Sequence, residues 1–433
     1  MAKEVKIGIL GLGTIGSKVA KELLERSDYH SAKSGNDLSI NVKQILVQNI
    51  NKEREYTVPI ELLTEEINQI LHDPDISVII EVMGGEEPAR TYIEKSLKAG
   101  KHVVTANKEV IAKHGKQLRE LAINVNRQLL FEASVGGGIP IIHPLSDDLV
   151  ANSITEIRAI INGTTNYILT KMSQENMDFS EALNEAKSLG YAEANPTNDI
   201  EGIDAAYKIA ILASIAFQVD LKPEDIYVEG IAKLTSKDFR YAKELGYDIK
   251  LIAIARKDFS GNLQVKVHPV LIGKESGLAN INGADNAIEL TGDLIGCVTF
   301  SGPGAGPSPT TSAILSNLIS ITKENFHSIS KQKSDILSTI KLVPMASIKC
   351  RYYLMITTID QPGVLAIIGT IFQKNNIGIS AVIQKDTYVN QGTAELVITT
   401  HMATENSMQM AINAFDEIDS INSIKSMIRI EDN

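Results

Sequence analysis

The sequence predicts an α/β protein in three parts: a parallel-sheet domain covered by helices, a mixed α+β unit, and a C-terminal ferredoxin-like module. Three observations carry this. Strand-like and helix-like hydrophobic periods alternate from about Lys3 to Ile142, the pattern of repeated βα units. From Pro144 to about Val298 strands and helices mix without that alternation. From Arg351 onward the order is strand, helix, strand, strand, helix, strand, which is the split βαββαβ arrangement.

In the first part, strands are expected at Val5 to Leu10, Val42 to Val47, Val78 to Val82, His102 to Thr105 and Leu129 to Glu132. Amphipathic helices are expected near Ser17 to Leu24, Pro88 to Ala99 and Glu109 to Asn124, and the polar stretch Ser27 to Asn41 reads as an inserted loop. The second part shows strands at Ile154 to Ile161 and Ile249 to Ala255, with helices at Ser180 to Leu189 and Ile203 to Phe217. Gly, Pro and Ser concentrate at Ser301 to Pro309 ahead of a helical pattern, Ser312 to Ile321, expected to pack back on the first part. The third runs Tyr352 to Ile359, Val364 to Asn375, Ile379 to Gln384, Thr393 to Thr399, Ser407 to Glu417 and Ile424 to Ile430. The expected divisions are 1–143, 144–322, a polar connector at 323–350, and 351–433.

The chain has 433 residues, 43% hydrophobic and 22% charged, an ordinary globular mixture. With 53 acidic against 42 basic residues the formal charge is −11, which argues against nucleic acid or an anionic membrane as the main partner and for a small molecule. No apolar run reaches the ~18 residues of a membrane helix, and the start reads as a strand, not a signal peptide. Cys297 and Cys350 are far apart without a metal-ligand spacing, so no disulfide framework or zinc site is expected and a cytoplasmic setting fits. Cys297, in Ile295-Gly296-Cys297-Val298-Thr299, reads as a buried strand thiol rather than a nucleophile. None of the 8 histidines has a transition-metal spacing, and His143 beside Pro144 reads as a structural loop residue.

Gly11, Gly13 and Gly16 form G-x-G-x-x-G between the first strand and the first helix. Glycines there tighten the turn and let the backbone approach a pyrophosphate at the helix's positive end, so a Rossmann-type dinucleotide site is expected. An NAD site expects an acid after the second strand, but Val47 is followed by Gln48 and Asn49, with Lys52 and Arg54 beyond. A 2′-phosphate is then not repelled, which favours NADP slightly over NAD.

The richest stretch runs Gly190-Tyr191-Ala192-Glu193 to Asp199, Asp204 and Lys208. Asp204 and Lys208 are four apart on one helix and share a face, and the apolar run that follows places the pair at the mouth of a core. Reducing a carbonyl by hydride needs a proton on its oxygen, which a positioned ammonium can supply. Taken alone, the spacing favours an ordinary surface Asp–Lys helix pair, the commoner case.

These motifs, with Ala106-Asn107-Lys108, Asn162-Gly163-Thr164-Thr165-Asn166-Tyr167-Ile168-Leu169 and Gly304-Ala305-Gly306, make the sequence resemble homoserine dehydrogenases over nearly its whole length. The resemblance implies interconversion of L-homoserine and L-aspartate 4-semialdehyde, in threonine, methionine and isoleucine biosynthesis, by a homodimer or homotetramer. It implies Lys208 as proton donor and acceptor, helped by Lys108 and Asp204, with Glu193, Asp199 and Asp204 toward the substrate. It implies a cofactor bordered by Gly11, Leu12, Gly13, Thr14, Ile15, Gly16, Thr105, Lys108, Gly190 and Gly304, and a monovalent cation, sodium, on Glu132, Val135, Gly137 and Ile139, mainly through main-chain oxygens. Gln48 stands where the family often has arginine. The C-terminal part resembles an ACT domain through Asp360-Gln361-Pro362-Gly363-Val364-Leu365, which implies amino-acid binding, with L-threonine the favoured effector, or assembly alone. The competing readings are another NAD(P)-dependent amino-acid or aldehyde dehydrogenase, and a non-catalytic amino-acid or nucleotide sensor.

Overall fold

A computed structural model describes residues 3–34, 38–54, 56–323, 340–388 and 392–431. The chain divides into two compact units, each discontinuous in sequence: 1–154, 210–223 and 292–339 in the first, 155–209, 224–291 and 340–433 in the second.

The first unit holds a sheet of β1 (Lys3–Leu10), β2 (Leu38–Leu46), β3 (Leu63–Thr64), β4 (Ile76–Glu81), β5 (His102–Thr105) and β6 (Leu129–Leu130). Its order is β3-β2-β1-β4-β5-β6 and every pairing is parallel, the doubly wound arrangement of nucleotide-binding sheets. The strands are nearly continuous apolar runs because helices cover both faces. Ile7 and Ile9 of β1 are fully buried against Val19 and Leu23 of α1 (Thr14–Glu25) and Ile314 and Leu318 of α11 (Pro307–Lys323). The late helix does return to the first sheet's core. Also in this unit are α3 (Ile67–Leu71), α4 (Ala89–Lys98), α5 (Lys108–Asn124) and β12 (Gly296–Pro303).

Two expectations fail here. The stretch read as a loop from Ser27 contains α2 (Ser27–Ser34), and β2 starts at Leu38. That helix has almost no apolar stripe; Ser27 Oγ donating to Ile40 O and Ile40 N donating to Ser31 Oγ hold it to the strand instead. Cys297 is exposed, because β12 is exposed or half-buried at every position.

The second unit contains β7 (Ile154–Ile160), β8 (Tyr227–Val228), β9 (Tyr247–Lys257), β10 (Leu263–Gly273), β11 (Asp285–Gly292), β13 (Lys349–Ile359), β14 (Ile379–Tyr388), β15 (Thr393–Thr400), β16 (Ala403–Thr404) and β17 (Ile421–Glu431). One sheet runs β11-β7-β9-β10-β17-β13-β15-β14, with β8 beside β10 and β16 beside β13. Helices α6 (Gly163–Glu175), α7 (Phe179–Ser188), α8 (Thr197–Ile200), α9 (Ile203–Ala216) and α10 (Ser236–Glu244) belong to its earlier segments, α9 running on into the first unit; α12 (Val364–Lys374) and α13 (Glu405–Phe415) lie in the last.

The last segment has the ferredoxin-like strand order β17-β13-β15-β14, all antiparallel, with Phe372 against Phe415 in its core at 5.4 Å between ring centroids. Its β17 also pairs in parallel with β10, Val270 opposite Arg429, so the C-terminal module and the middle region share one sheet. Of the expected connector, residues 324–339 lie outside the described residues; at 341–343 the chain is tied to Leu263 by two main-chain hydrogen bonds. No described helix is long and apolar enough to cross a membrane.

Candidate active site

In the second unit Asn162 caps α6: its Oδ1 accepts from Thr165 N at 2.8 Å. Its Nδ2 donates in the other direction, to Asp199 Oδ1 at 2.7 Å and Asp204 Oδ2 at 2.8 Å. Asp204 Oδ2 also accepts from Lys208 Nζ at 2.7 Å, and that ammonium donates to Ile161 O at 2.7 Å. One amide therefore ties two carboxylates, a lysine and a helix start into a single constellation. Lys208 is 8% and Asp204 3% exposed. The pair is buried, not at the mouth of the core, because the end of β7 and the segment carrying Asp199 lie over it. Asp199 is half-buried on α8.

Gly190 and Glu193 sit on the loop after α7, where Glu193 is exposed. Thr164 Oγ1 donates to Tyr191 O at 2.6 Å and the Tyr191 ring packs on Tyr167 at 4.9 Å, holding this loop to α6. Glu193 enters none of the hydrogen bonds of the Asn162 cluster.

In the first unit the glycine turn has the expected form. Gly11 has φ +102°, and its N–H donates to Leu46 O at 3.0 Å, tying the turn to β2. A Cβ on Gly16 would overlap the Gly11 carbonyl oxygen, whereas a Cβ on Gly13 would meet nothing within 4 Å. Gly11 and Gly16 thus build the turn, and Gly13 leaves open the approach to the first residues of α1, Thr14 and Ile15, with Leu12 half-buried before them. This is a cradle that fits a dinucleotide pyrophosphate. After β2, the Arg54 guanidinium donates to Asn49 O at 2.6 Å, Lys52 O at 2.8 Å and Ile50 O at 3.2 Å, so it braces its own loop.

At the ends of β4 and β5, Glu81 is fully buried and accepts from Thr105 Oγ1 at 2.5 Å and Met83 N at 2.8 Å. Burial pushes its carboxyl above the usual range despite those bonds. Thr105 Oγ1 accepts from Asn107 N, Asn107 Nδ2 donates to Gly85 O at 2.7 Å, and Asn107 caps α5, whose first residue is Lys108. Glu81 thereby orders both the 82–85 turn and the base of Lys108. Sequence reasoning missed Glu81 and the donor role of Asn162. An acid ending an apolar strand marked the first, and an Asn before Gly-Thr-Thr marked the second.

The proposed cation loop is partly committed. Glu132 Oε1 accepts from Ile141 N and Ile142 N at 2.6 and 2.9 Å, and Oε2 from His143 N at 2.8 Å, so its carboxylate caps the following chain. Gly136 O accepts from Ile139 N at 2.9 Å. Gly137 lies against Gly304, whose carbonyl carbon is 2.6 Å from where a Cβ on Gly137 would stand. Val135, Gly137 and Ile139 are buried, so only main-chain oxygens remain there to meet a monovalent ion. His143 is exposed and its Nδ1 lies 3.0 Å from Asp147 Oδ2. Among the described residues no group of three or more His, Cys, Asp or Glu could hold a metal ion.

The doubly wound sheet with its glycine turn is that of a nicotinamide-dinucleotide enzyme, and the family matches make the chain an NAD(P)-dependent oxidoreductase acting on a CH–OH group. Two family models match the chain: "Homoserine dehydrogenase, NAD binding domain" over residues 11–132 and "Homoserine dehydrogenase" over residues 140–319. The chain is 40% identical to the homoserine dehydrogenase of Synechocystis sp., over 98% of this chain and 99% of that one, and 36% identical to that of Bacillus subtilis, over 100% and 99%. It matches the crystal structure of a homoserine dehydrogenase from Thiobacillus denitrificans with a TM-score of 0.92 at 38% identity, covering 99% of both chains. A hyperthermophilic archaeal homoserine dehydrogenase in complex with NADPH matches 74% of this chain and 98% of its own, with a TM-score of 0.61 at 28% identity. The chain belongs to the homoserine dehydrogenase family.

Proposed function

We propose that the protein reversibly reduces L-aspartate 4-semialdehyde to L-homoserine, with Lys208 moving the proton at the reacting oxygen. The observation that carries this is the buried Lys208 ammonium, held by Asp204 and Ile161 O beside Asp199. When bound on the glycine turn, the nicotinamide cofactor supplies or takes the hydride. Lys208 gives its proton to the aldehyde oxygen in reduction and takes it from the hydroxyl in oxidation. Asp204 and Ile161 O fix the direction of that ammonium, and burial keeps bulk water from competing for it. Glu193 and Asp199 supply negative charge for the amino acid's ammonium group, and Lys108, the first residue of α5, is read as a helper of the reaction by the resemblance. Lys208→Ala is expected to cut turnover of L-homoserine by about 10²–10⁴-fold while cofactor binding persists. Wild-type turnover in that variant refutes the assignment.

The finer reading extends to ligands and regulation. With no acid directly after β2, where Gln48 and Asn49 follow Val47, and with Lys52 nearby while Arg54 braces its own loop, NADP is favoured slightly over NAD; kcat/KM with each cofactor decides. Main-chain oxygens around Val135, Gly137 and Ile139 suit sodium, beside Glu132; activity titrated with sodium in ion-depleted buffer tests it. The ferredoxin-like module is read as an ACT domain binding L-threonine near Gly363, which has φ +98° at the start of α12, and feedback inhibition is tested by rates at saturating threonine. The enzyme is read as a cytoplasmic homodimer or homotetramer serving threonine, methionine and isoleucine synthesis. Its two free cysteines suit a reducing compartment.

A further inference from the structure

Arg429, on the last strand, is fully buried and yet charged, and its partners explain why. Its Nε and Nη2 reach both oxygens of Glu405 at 2.9 and 2.6 Å, a bidentate pair at the start of α13. Its Nη1 donates to Glu229 Oε2 at 2.6 Å and its Nη2 to Tyr227 OH at 3.0 Å, with the guanidinium over the Tyr227 ring at 5.1 Å from the centroid. Tyr227 OH donates in turn to Glu229 Oε2 at 3.0 Å. The first pair lies within the C-terminal module. The second reaches out of it, to a segment far earlier in the chain.

That earlier segment supports the lysine–carboxylate cluster. Tyr227 and Val228 pair with β10, and Glu229 N donates to Val267 O at 2.8 Å. Ile231 N then donates to Ile200 O at 2.8 Å. Between them Gly230 packs so closely that a Cβ would run into Ile200 O and stand 2.7 Å from Glu201 Cα. Gly202 approaches from the other side, where a Cβ would be 3.1 Å from Val228 Cγ1. Residues 200–202 are the turn from α8 to α9, one residue beyond Asp199 and two before Asp204. The backbone of 228–231 is therefore the floor of that turn, and Glu229 is pinned to that floor by Arg429.

We infer that Arg429 and Glu229 are positioning residues for the site: the C-terminal strand sets, through Glu229, the height and tilt of the turn that carries Asp199 and Asp204. A buried charge pair of this kind costs desolvation, and the role inferred for it here is to fix one arrangement. The inference rests on the reading of Asp199, Asp204 and Lys208 as the substrate site. Its signature is a change in substrate affinity without a change in cofactor affinity, because the glycine turn shares none of these contacts.

The test uses the full-length enzyme with Glu229→Gln, and Tyr227→Phe as the milder variant that keeps the stacked ring. Thermal melting and KM for L-homoserine and for the cofactor are measured on both. The expected result is a rise in KM for L-homoserine of about tenfold in Glu229→Gln and about threefold in Tyr227→Phe, with KM for the cofactor within twofold of wild type. Unchanged KM for L-homoserine in folded variants overturns the inference, as does an equal rise in both KM values. Loss of the fold in both variants overturns it too, leaving the cluster a stability element. Lys208→Ala assayed in parallel separates the two claims: full turnover there sinks the site reading itself, whatever Glu229→Gln does.

Discussion

Replacing Asn162 with Asp changes one donor into an acceptor at nearly constant shape. The cap survives, since an aspartate oxygen can still accept from Thr165 N. What is lost is the pair of hydrogen bonds from Nδ2 to Asp199 and Asp204, at 2.7 and 2.8 Å. Hydrogen bonds to charged groups contribute about 1.5–3 kcal/mol each, so about 3–6 kcal/mol of local organisation is at stake. A third carboxylate also meets two others; at a separation of about 4 Å and an effective dielectric near 20 each like-charge contact costs about 4 kcal/mol. Partial proton uptake at neutral pH relieves some of this, so the net loss there is expected nearer about 3 kcal/mol in urea unfolding, and uptake becomes complete only at lower pH. In kinetics kcat/KM for L-homoserine is expected to fall about 100-fold, equivalent to about 2.7 kcal/mol of transition-state stabilisation. The pH dependence makes the argument specific: as pH falls, the bound proton restores an O–H donor between the carboxyls, and the variant should recover toward wild type. Steady-state rates from acid to neutral pH read this directly. An Asn162→Asp enzyme with wild-type stability and wild-type kcat/KM at neutral pH would refute the view that the amide organises the cluster.

Other perturbations separate the remaining roles. Gly16→Ala, whose Cβ would overlap the Gly11 carbonyl, is expected to abolish cofactor binding and lower the melting temperature. Gly13→Ala, with open space around it, is expected to fold normally and only weaken cofactor affinity, both read by cofactor fluorescence titration and melting. His102, whose Nδ1 accepts from Gln128 N at 3.1 Å, is held by burial at a pKa of about 4, against 6.5 in its ordinary state. Between those values the unfolded chain binds the extra proton, so stability should fall as pH drops from about 6.5 to about 4, by an upper limit of about 3 kcal/mol. A His102→Gln variant whose stability falls just as steeply over that window would remove His102 as the cause. Cys297→Ser, at an exposed thiol, should leave kcat and KM unchanged, and a large loss would reopen a covalent role.

The elements that carry a strong period were legible. The run Val5 to Leu10, the glycine turn and the helix behind it follow from apolar spacing and one motif, and His102–Thr105 has the boundaries the pattern predicts. Helix α2 was not, because a helix that is polar nearly all round has no stripe to read. The exposure of Cys297 escaped for the converse reason: an apolar-looking strand says nothing about what covers it. In the candidate site, the Asp204–Lys208 contact follows from helical spacing, whereas its link to Asp199 through Asn162 joins residues 162, 199 and 204 that only folding brings together. The pairing of β10 with β17, Val270 opposite Arg429, likewise joins residues far apart in the chain, with no local signature.

That pairing governs what a shortened chain could do. β17 is an interior strand, flanked by β10 and β13, so without it the sheet is split along its middle. A chain cut before Ile421 would present two raw β edges to its neighbours, and self-association rather than a tidy two-part enzyme is the natural fate of such a fragment.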